Sequence, residues 1–97
     1  MKNEKEIKQI AEHYGYKHQK KILVEELSEL IQAVIKVDRA EGSLSDVLKN
    51  YDNLIEEIAD CEIMIFQIKH LLAINTDDFI EKKVARQIER IKHETVY

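Results

Sequence analysis

The chain of 97 residues contains no proline, and glycine occurs only at positions 15 and 42. Collagen-like repeats and Pro-rich linkers are thereby excluded, and an all-β sandwich would need far more turn residues than these. The single cysteine, Cys61, cannot close an intrachain disulfide and fits a reducing compartment. No apolar run exceeds four residues, as at Ile63 to Phe66, against the roughly 20 that a membrane span requires. The sequence also has no internal repeat and no low-complexity stretch. What is present is 44% hydrophobic and 35% charged residues, too apolar for a disordered chain. The expectation is one helical, soluble, cytoplasmic domain over residues 1–97. A chain this short buries only about 60–65% of its unfolded surface, so a partner is expected to add stability.

Charge is unevenly placed. Residues 1–24 carry a net +3, residues 25–62 a net −8, and residues 63–97 a net +1. An acidic centre argues against a face that binds duplex nucleic acid and points to cations or to a solvated acidic surface.

The punctuation divides the chain into four helices. Asn3, with Glu6 three residues on, can cap the first, and Gly15 can close it. A second helix is expected from about His18 to Glu41, stopping at Gly42. Ser43 and Asp46 form a cap of the Ser-x-x-acid type that opens a third helix reaching about Ile74. Asn75 can end that helix, and Thr76 can cap a fourth whose first turn holds Asp77 and Asp78 near the positive end of the dipole. Long helices joined by short turns predict an antiparallel four-helix bundle.

At about 100° per residue, Leu23, Leu30, Ile31 and Val34 fall within about 60° of Leu27 and read as the core stripe of the second helix. To one side, the wheel meets Val37, Glu26, Ala33, Ile22 and Glu29 in that order. On the third helix, Val47, Tyr51, Leu54, Cys61 and Ile65 cluster about Ile58, and the same side carries Ile68, Glu57, Met64, Leu71 and Asp60. Each helix therefore bears two acids three residues apart, displaced to the same side of its apolar stripe. Carboxylates at i and i+3 are neighbours on a helix. If the two helices are adjacent and antiparallel, Glu26, Glu29, Glu57 and Asp60 meet across the seam. Such a group must protonate, stay at the surface, or bind cations. Ligation by oxygen alone selects hard ions such as Mg²⁺ or Mn²⁺. A di-iron bundle would use Glu-x-x-His, and no histidine here lies three residues after an acid. The alternative is a solvated charged face on a non-catalytic helical oligomerisation or regulatory module.

Glu25-Glu26-Leu27-Ser28-Glu29-Leu30 and Glu56-Glu57-Ile58-Ala59-Asp60, with 27 residues between Glu29 and Glu57, resemble the E-x-x-E and E-x-x-D halves of the MazG-like all-α nucleoside triphosphate pyrophosphohydrolases. The resemblance spans about residues 18–92. It implies Mg²⁺ ligands at Glu26, Glu29, Glu57 and Asp60, with Glu25 as a further ligand or as the group orienting a water. It also implies cleavage of a (deoxy)nucleoside triphosphate between the α and β phosphates, in nucleotide-pool cleaning. Relatives of this kind are dimers or tetramers, so a homodimer or homotetramer is expected.

An acidic cluster needs positive help to hold a triphosphate. On the fourth helix Lys82, Arg86 and Arg90 recur every four residues with Lys83 beside them, opposite the apolar stripe of Ile80, Val84, Ile88 and Ile91. Lys82 with Arg86, or Lys83 with Arg86, resembles the phosphate-binding pair of the family. Gln19 resembles an upstream glutamine that contacts base or sugar. Asn50 and Asn53 lie on the acid-bearing face and can line the pocket, whereas Glu62 and Lys69, on the core side of the third helix, point to a subunit interface or a paired interior.

Overall fold

The computed structural model describes residues 1–39 and 42–94. They form α1 (Glu4–Tyr14), α2 (Tyr16–Asp38), α3 (Leu44–Leu72) and α4 (Asp77–Glu94), and no strand occurs among the described residues. The all-helical expectation therefore holds.

The helix ends follow local chemistry, with four departures from expectation. Asn3 takes a left-handed conformation (φ 63°) and caps nothing with its side chain; its carbonyl accepts Ile7 N–H instead. Gly15, at φ 81°, is a one-residue joint. Its N–H donates to the Ala11 carbonyl and its own carbonyl accepts Gln19 N–H, so α2 begins at Tyr16 rather than near His18. α2 stops at Asp38, short of the expected end, and Glu41 lies outside the described residues. Ser43 behaves as read: its Oγ accepts Asp46 N–H and donates to Asp46 Oδ2. α3 closes at Ala73, left-handed at φ 52°, where Ala73 and Ile74 N–H groups bond the His70 and Lys69 carbonyls. Asn75, expected to end α3, opens α4 instead by accepting Asp77 N–H at 2.8 Å.

Three contacts fix how α2 and α3 pair. Gln19 bonds Gln67, the Cys61 thiol donates to the Glu26 carbonyl, and Asn50 donates to the Lys36 carbonyl. Numbers rise along α2 as they fall along α3, so the two form an antiparallel hairpin. α1 lies along α3 in the parallel sense, with Gln67 Nε2 donating to the Ile7 carbonyl and Glu12 meeting His70 at 2.9 Å. The core of this packing is small: Ile7, Ala11, Ala33, Cys61 and Met64.

Two expectations are corrected here. The first concerns the wheels. The arc that carries Glu26, Ala33, Glu57, Cys61 and Met64 faces the neighbouring helix, while Leu27, Ile31 and Val34, read as core, are 39%, 62% and 46% exposed. Small side chains at Ala33 and Cys61 let the backbones approach, so the seam forms there and the larger residues are left outside. The second concerns α4. Among the described residues, no Cα of α4 lies within 8 Å of another helix, and Ile80, Val84, Ile88 and Ile91 are all about half exposed. One chain is thus a three-helix packing with a fourth helix standing off it. The radius of gyration, 17.6 Å, exceeds the about 12.5 Å of a compact domain of this length.

The buried amides tie α1 to the hairpin. Gln19 Nε2 donates to Gln67 Oε1 at 2.7 Å, and His18 Nδ1–H donates to Gln19 Oε1 at 2.6 Å. Gln67→Ala strands Gln19 Nε2, at about 1–3 kcal/mol for a buried group left unpaired, and removes the side-chain donor that ties the Ile7 carbonyl of α1 to α3. Thermal unfolding of Gln67→Ala is expected at least several degrees below wild type. Glu12→Ala, which removes the exposed contact with His70, is expected to cost about 1 kcal/mol or less. Equal melting of wild type and Gln67→Ala would show that the amides do not hold α1.

Candidate metal centre

The hairpin register sets Glu26 opposite Asp60 and Glu29 opposite Glu57. Glu26, Glu57 and Asp60 each offer one carboxylate oxygen, and these three atoms lie within 4.8 Å of one another. Glu26 and Glu57 are half-buried in the seam, and Asp60 is exposed at its lip. Oε2 of Glu26 and Oε2 of Glu57 are buried without a hydrogen-bond partner. Anionic oxygens without donors in a seam of low polarity are costly.

The titration behaviour has the same origin. Burial is the largest cause raising the Glu26 pKa, followed by the charges of Asp60, Glu29 and Glu57. Burial also leads in raising Glu57, followed by Glu29 and Asp60, with Glu56 adding a smaller push. The Glu29 carboxyl stands within hydrogen-bonding reach of both. Burial, and then the same acids, also push up the Cys61 thiol. With its proton directed to the Glu26 carbonyl at 3.3 Å, Cys61 is a packing residue and a poor nucleophile.

The expected site residues separate into three groups. Glu26, Glu57 and Asp60 come together as read, and Glu29 joins their field from an exposed position just outside the triad. Asn53, one turn before Glu57, is half-buried on the same helix, whereas Glu25 is exposed and is not among the groups acting on Glu26 or Glu57. Gln19 is engaged elsewhere, with both ends of its amide bonded inside the protein. Lys82, Lys83 and Arg86 are exposed on α4 and are not brought to the acids within the chain. The reading overlooked Glu56 and Gln67. Glu56 adjoins Glu57 in sequence, and the antiparallel register that pairs residue 26 with 60 also pairs 19 with 67.

An all-oxygen donor set with two partnerless buried oxygens could hold a hard divalent cation. Compared with models of known families, with curated proteins and with solved structures, the chain matches none. The resemblance noted above therefore rests on the motif pair and its spacing alone.

Raised carboxyl pKa values have a definite sign in stability. Between the ordinary glutamate value of 4.5 and the raised value, the folded state binds more protons than the unfolded state. The contribution of Glu26 and Glu57 to stability is thus fully present below pH 4.5 and is lost as pH rises through the raised values. In chelator at pH 7, Glu57→Gln is expected to melt above wild type. That advantage should shrink as pH is lowered towards 4.5. A difference in melting temperature that does not change with pH would rule this out.

Proposed function

We propose that the chain is a Mg²⁺-dependent nucleoside triphosphate pyrophosphohydrolase of the MazG-like all-α type, converting a (deoxy)nucleoside triphosphate to the monophosphate and pyrophosphate. The observation that carries this reading is the meeting of the two half-motifs, with one partnerless oxygen from each on opposite sides of the α2–α3 seam. Glu26, Glu57 and Asp60 would hold the ion, and Glu29 is close enough to join them. Mn²⁺ suits the same donors. When held by these carboxylates, Mg²⁺ would supply charge neutralisation at phosphoryl oxygens and a lowered pKa for a water.

The chain's own side chains account for the rest. Three carboxylates with a fourth beside them give a centre that is strongly anionic until a cation arrives, so it repels a bare triphosphate and accepts a charge-neutralised one. Apolar residues of the seam exclude water behind the acids, which strengthens each electrostatic interaction at the centre. Asn53 is the nearest neutral amide on the same helix and can donate to a substrate oxygen. No protein nucleophile is required, in keeping with the shielded thiol of Cys61. A house-cleaning role, removing unwanted triphosphates, fits such an activity.

The reading includes self-association as a homodimer or homotetramer. Large apolar residues lie uncovered on α2, α3 and α4. The same exposure favours a second reading, a non-catalytic assembly module with a solvated acidic face. Calorimetric titration separates the two.

Mg²⁺ or Mn²⁺ is expected to bind wild type and not Glu57→Gln. Incubation of wild type with a panel of nucleoside triphosphates and Mg²⁺ should release pyrophosphate, and Glu57→Gln or Asp60→Asn should lower the rate by roughly two orders of magnitude or more. Release of orthophosphate without pyrophosphate would contradict α–β cleavage. Absence of metal binding by wild type would leave the assembly reading standing.

A further inference from the structure

The acidic middle of the chain, residues 25–62, holds eleven acids and three cations, Lys36, Arg39 and Lys49. On exposed helices such cations ordinarily pair with acids three or four residues away. Here none does: among the described residues, no carboxylate oxygen lies within 4 Å of Lys36, Arg39 or Lys49. Asp46, three residues before Lys49, holds the Ser43 hydroxyl instead.

The register gathers the three cations at one end of the hairpin. The Asn50 amide donates to the Lys36 carbonyl at 3.4 Å, so Lys49 on α3 stands next to the level of Lys36 on α2, and Arg39 is one turn further along. Lys36 and Lys49 also share a side with the acids. At about 100° per residue, Lys36 falls about 20° from Glu29 on α2, and Lys49 falls about 20° from Asp60 on α3. Asn53, half-buried, is also about 20° from Asp60 and lies between the two levels. The lip of the metal centre therefore continues as one groove between the helices, from the carboxylates past Asn53 to the cations. α1 does not cover this stretch. Its first residues lie beside Ala59 and Ile63, and from there it runs the other way, toward Gln67 and His70.

Spacing decides what the groove fits. Lys36 is seven residues beyond Glu29, and Lys49 is eight before Glu57, about 10 and 12 Å along the axes. Side chains on a helix lean toward its N-terminus, so Lys36 leans back toward the acids, and its four-carbon stem covers about half of that distance. Lys49 leans the other way, toward the turn. A cation among Glu26, Glu57 and Asp60 would then be separated from the Lys36 ammonium by the length of a diphosphate rather than of a single phosphate. Arg39 and Lys49 stand beyond it, where terminal oxygens would lie.

We infer that Lys36, with Lys49 and Arg39 behind it, holds the pyrophosphate part of a metal-bound triphosphate, which lies in the lip groove with its γ-phosphate toward the α2–α3 turn and its nucleoside toward α1. The inference rests on the metal centre and the reaction proposed above. In that reaction a water oxygen bonds the α-phosphorus, the bond from the α-phosphorus to the α–β bridging oxygen breaks, that oxygen keeps the electron pair, and the water gives up its proton to solvent. Negative charge grows on the leaving pyrophosphate, and the Lys36 ammonium is placed to meet it. The basic flank of α4 is then not needed at the phosphates, and one chain carries both the acids and the cations.

Calorimetric titration of inorganic pyrophosphate into the full chain at saturating Mg²⁺ tests this without turnover. Wild type is expected to bind, Lys36→Ala to bind about tenfold more weakly, as for the loss of one charged hydrogen bond, and Lys49→Ala severalfold more weakly. Lys17→Ala removes an exposed lysine about 120° from Glu29 on the wheel and is expected to match wild type. No binding by wild type, or undiminished affinity in Lys36→Ala, overturns the subsite. An equal loss in Lys17→Ala overturns it too, because overall charge would then account for the binding. Failure of the reaction is a separate result: if wild type binds pyrophosphate through Lys36 but releases none from any triphosphate, the function reading falls and the subsite stands. If triphosphates are cleaved while Lys36→Ala binds pyrophosphate as wild type does, the reaction stands and the subsite falls.

Discussion

Two glutamate oxygens sit in the seam between α2 and α3 with nothing to bond, and the rest of the molecule is arranged around that cost. Helices paired through Ala33 and Cys61 come close because those side chains are small, and close approach shuts one oxygen each of Glu26 and Glu57 away from water. Asp60 and Glu29 at the lip add like charge rather than relief. A well-packed hydrophobic pair at these positions would give a more stable hairpin. A cation held between the two helices would supply the missing partner, and the cost of the buried carboxylates would then return as binding affinity.

The same economy of core explains why the chain reaches outward. Three helices bury five apolar residues among those described, a small core for a domain of this length. The apolar side chains that would enlarge it have been placed on the far side of the hairpin and on α4. The acids and the basic flank of α4 belong to elements that do not meet within one chain.

Much of this was legible before any coordinates. Gly15 marked the joint between the first two helices because glycine takes a positive φ at little cost, and Ser43 with Asp46 marked the start of α3 through a cap that two residues suffice to specify. The meeting of Glu26, Glu57 and Asp60 followed from equal offsets on two antiparallel helices. The wheel could not tell which of two apolar arcs on α2 turns inward, because hydrophobicity alone does not distinguish a seam within a chain from a face left for another surface. The deciding property was side-chain size, with Ala33 on one arc and Ile31 on the other. Gln19 escaped for a related reason: an amide reads as surface until its partner, Gln67, is known, and that partner lies 48 residues away. Asn75 escaped because one Asx side chain can end a helix or begin one, and Ala73 had already ended α3 in a conformation that alanine seldom adopts.

The joint at Gly15 has a bearing on which lengths of chain this fold can tolerate. A single residue separates α1 from α2, and it bonds to both helices. An added residue has no loop in which to be absorbed. It would slide α1 along α3 by about 1.5 Å and turn it by about 100°. Ile7 would then leave the reach of Gln67, and Glu12 that of His70. Insertions and deletions in descendants of this sequence should therefore be scarce at the α1–α2 joint, where one glycine serves as the gauge that keeps a helix in register with a neighbour two elements away.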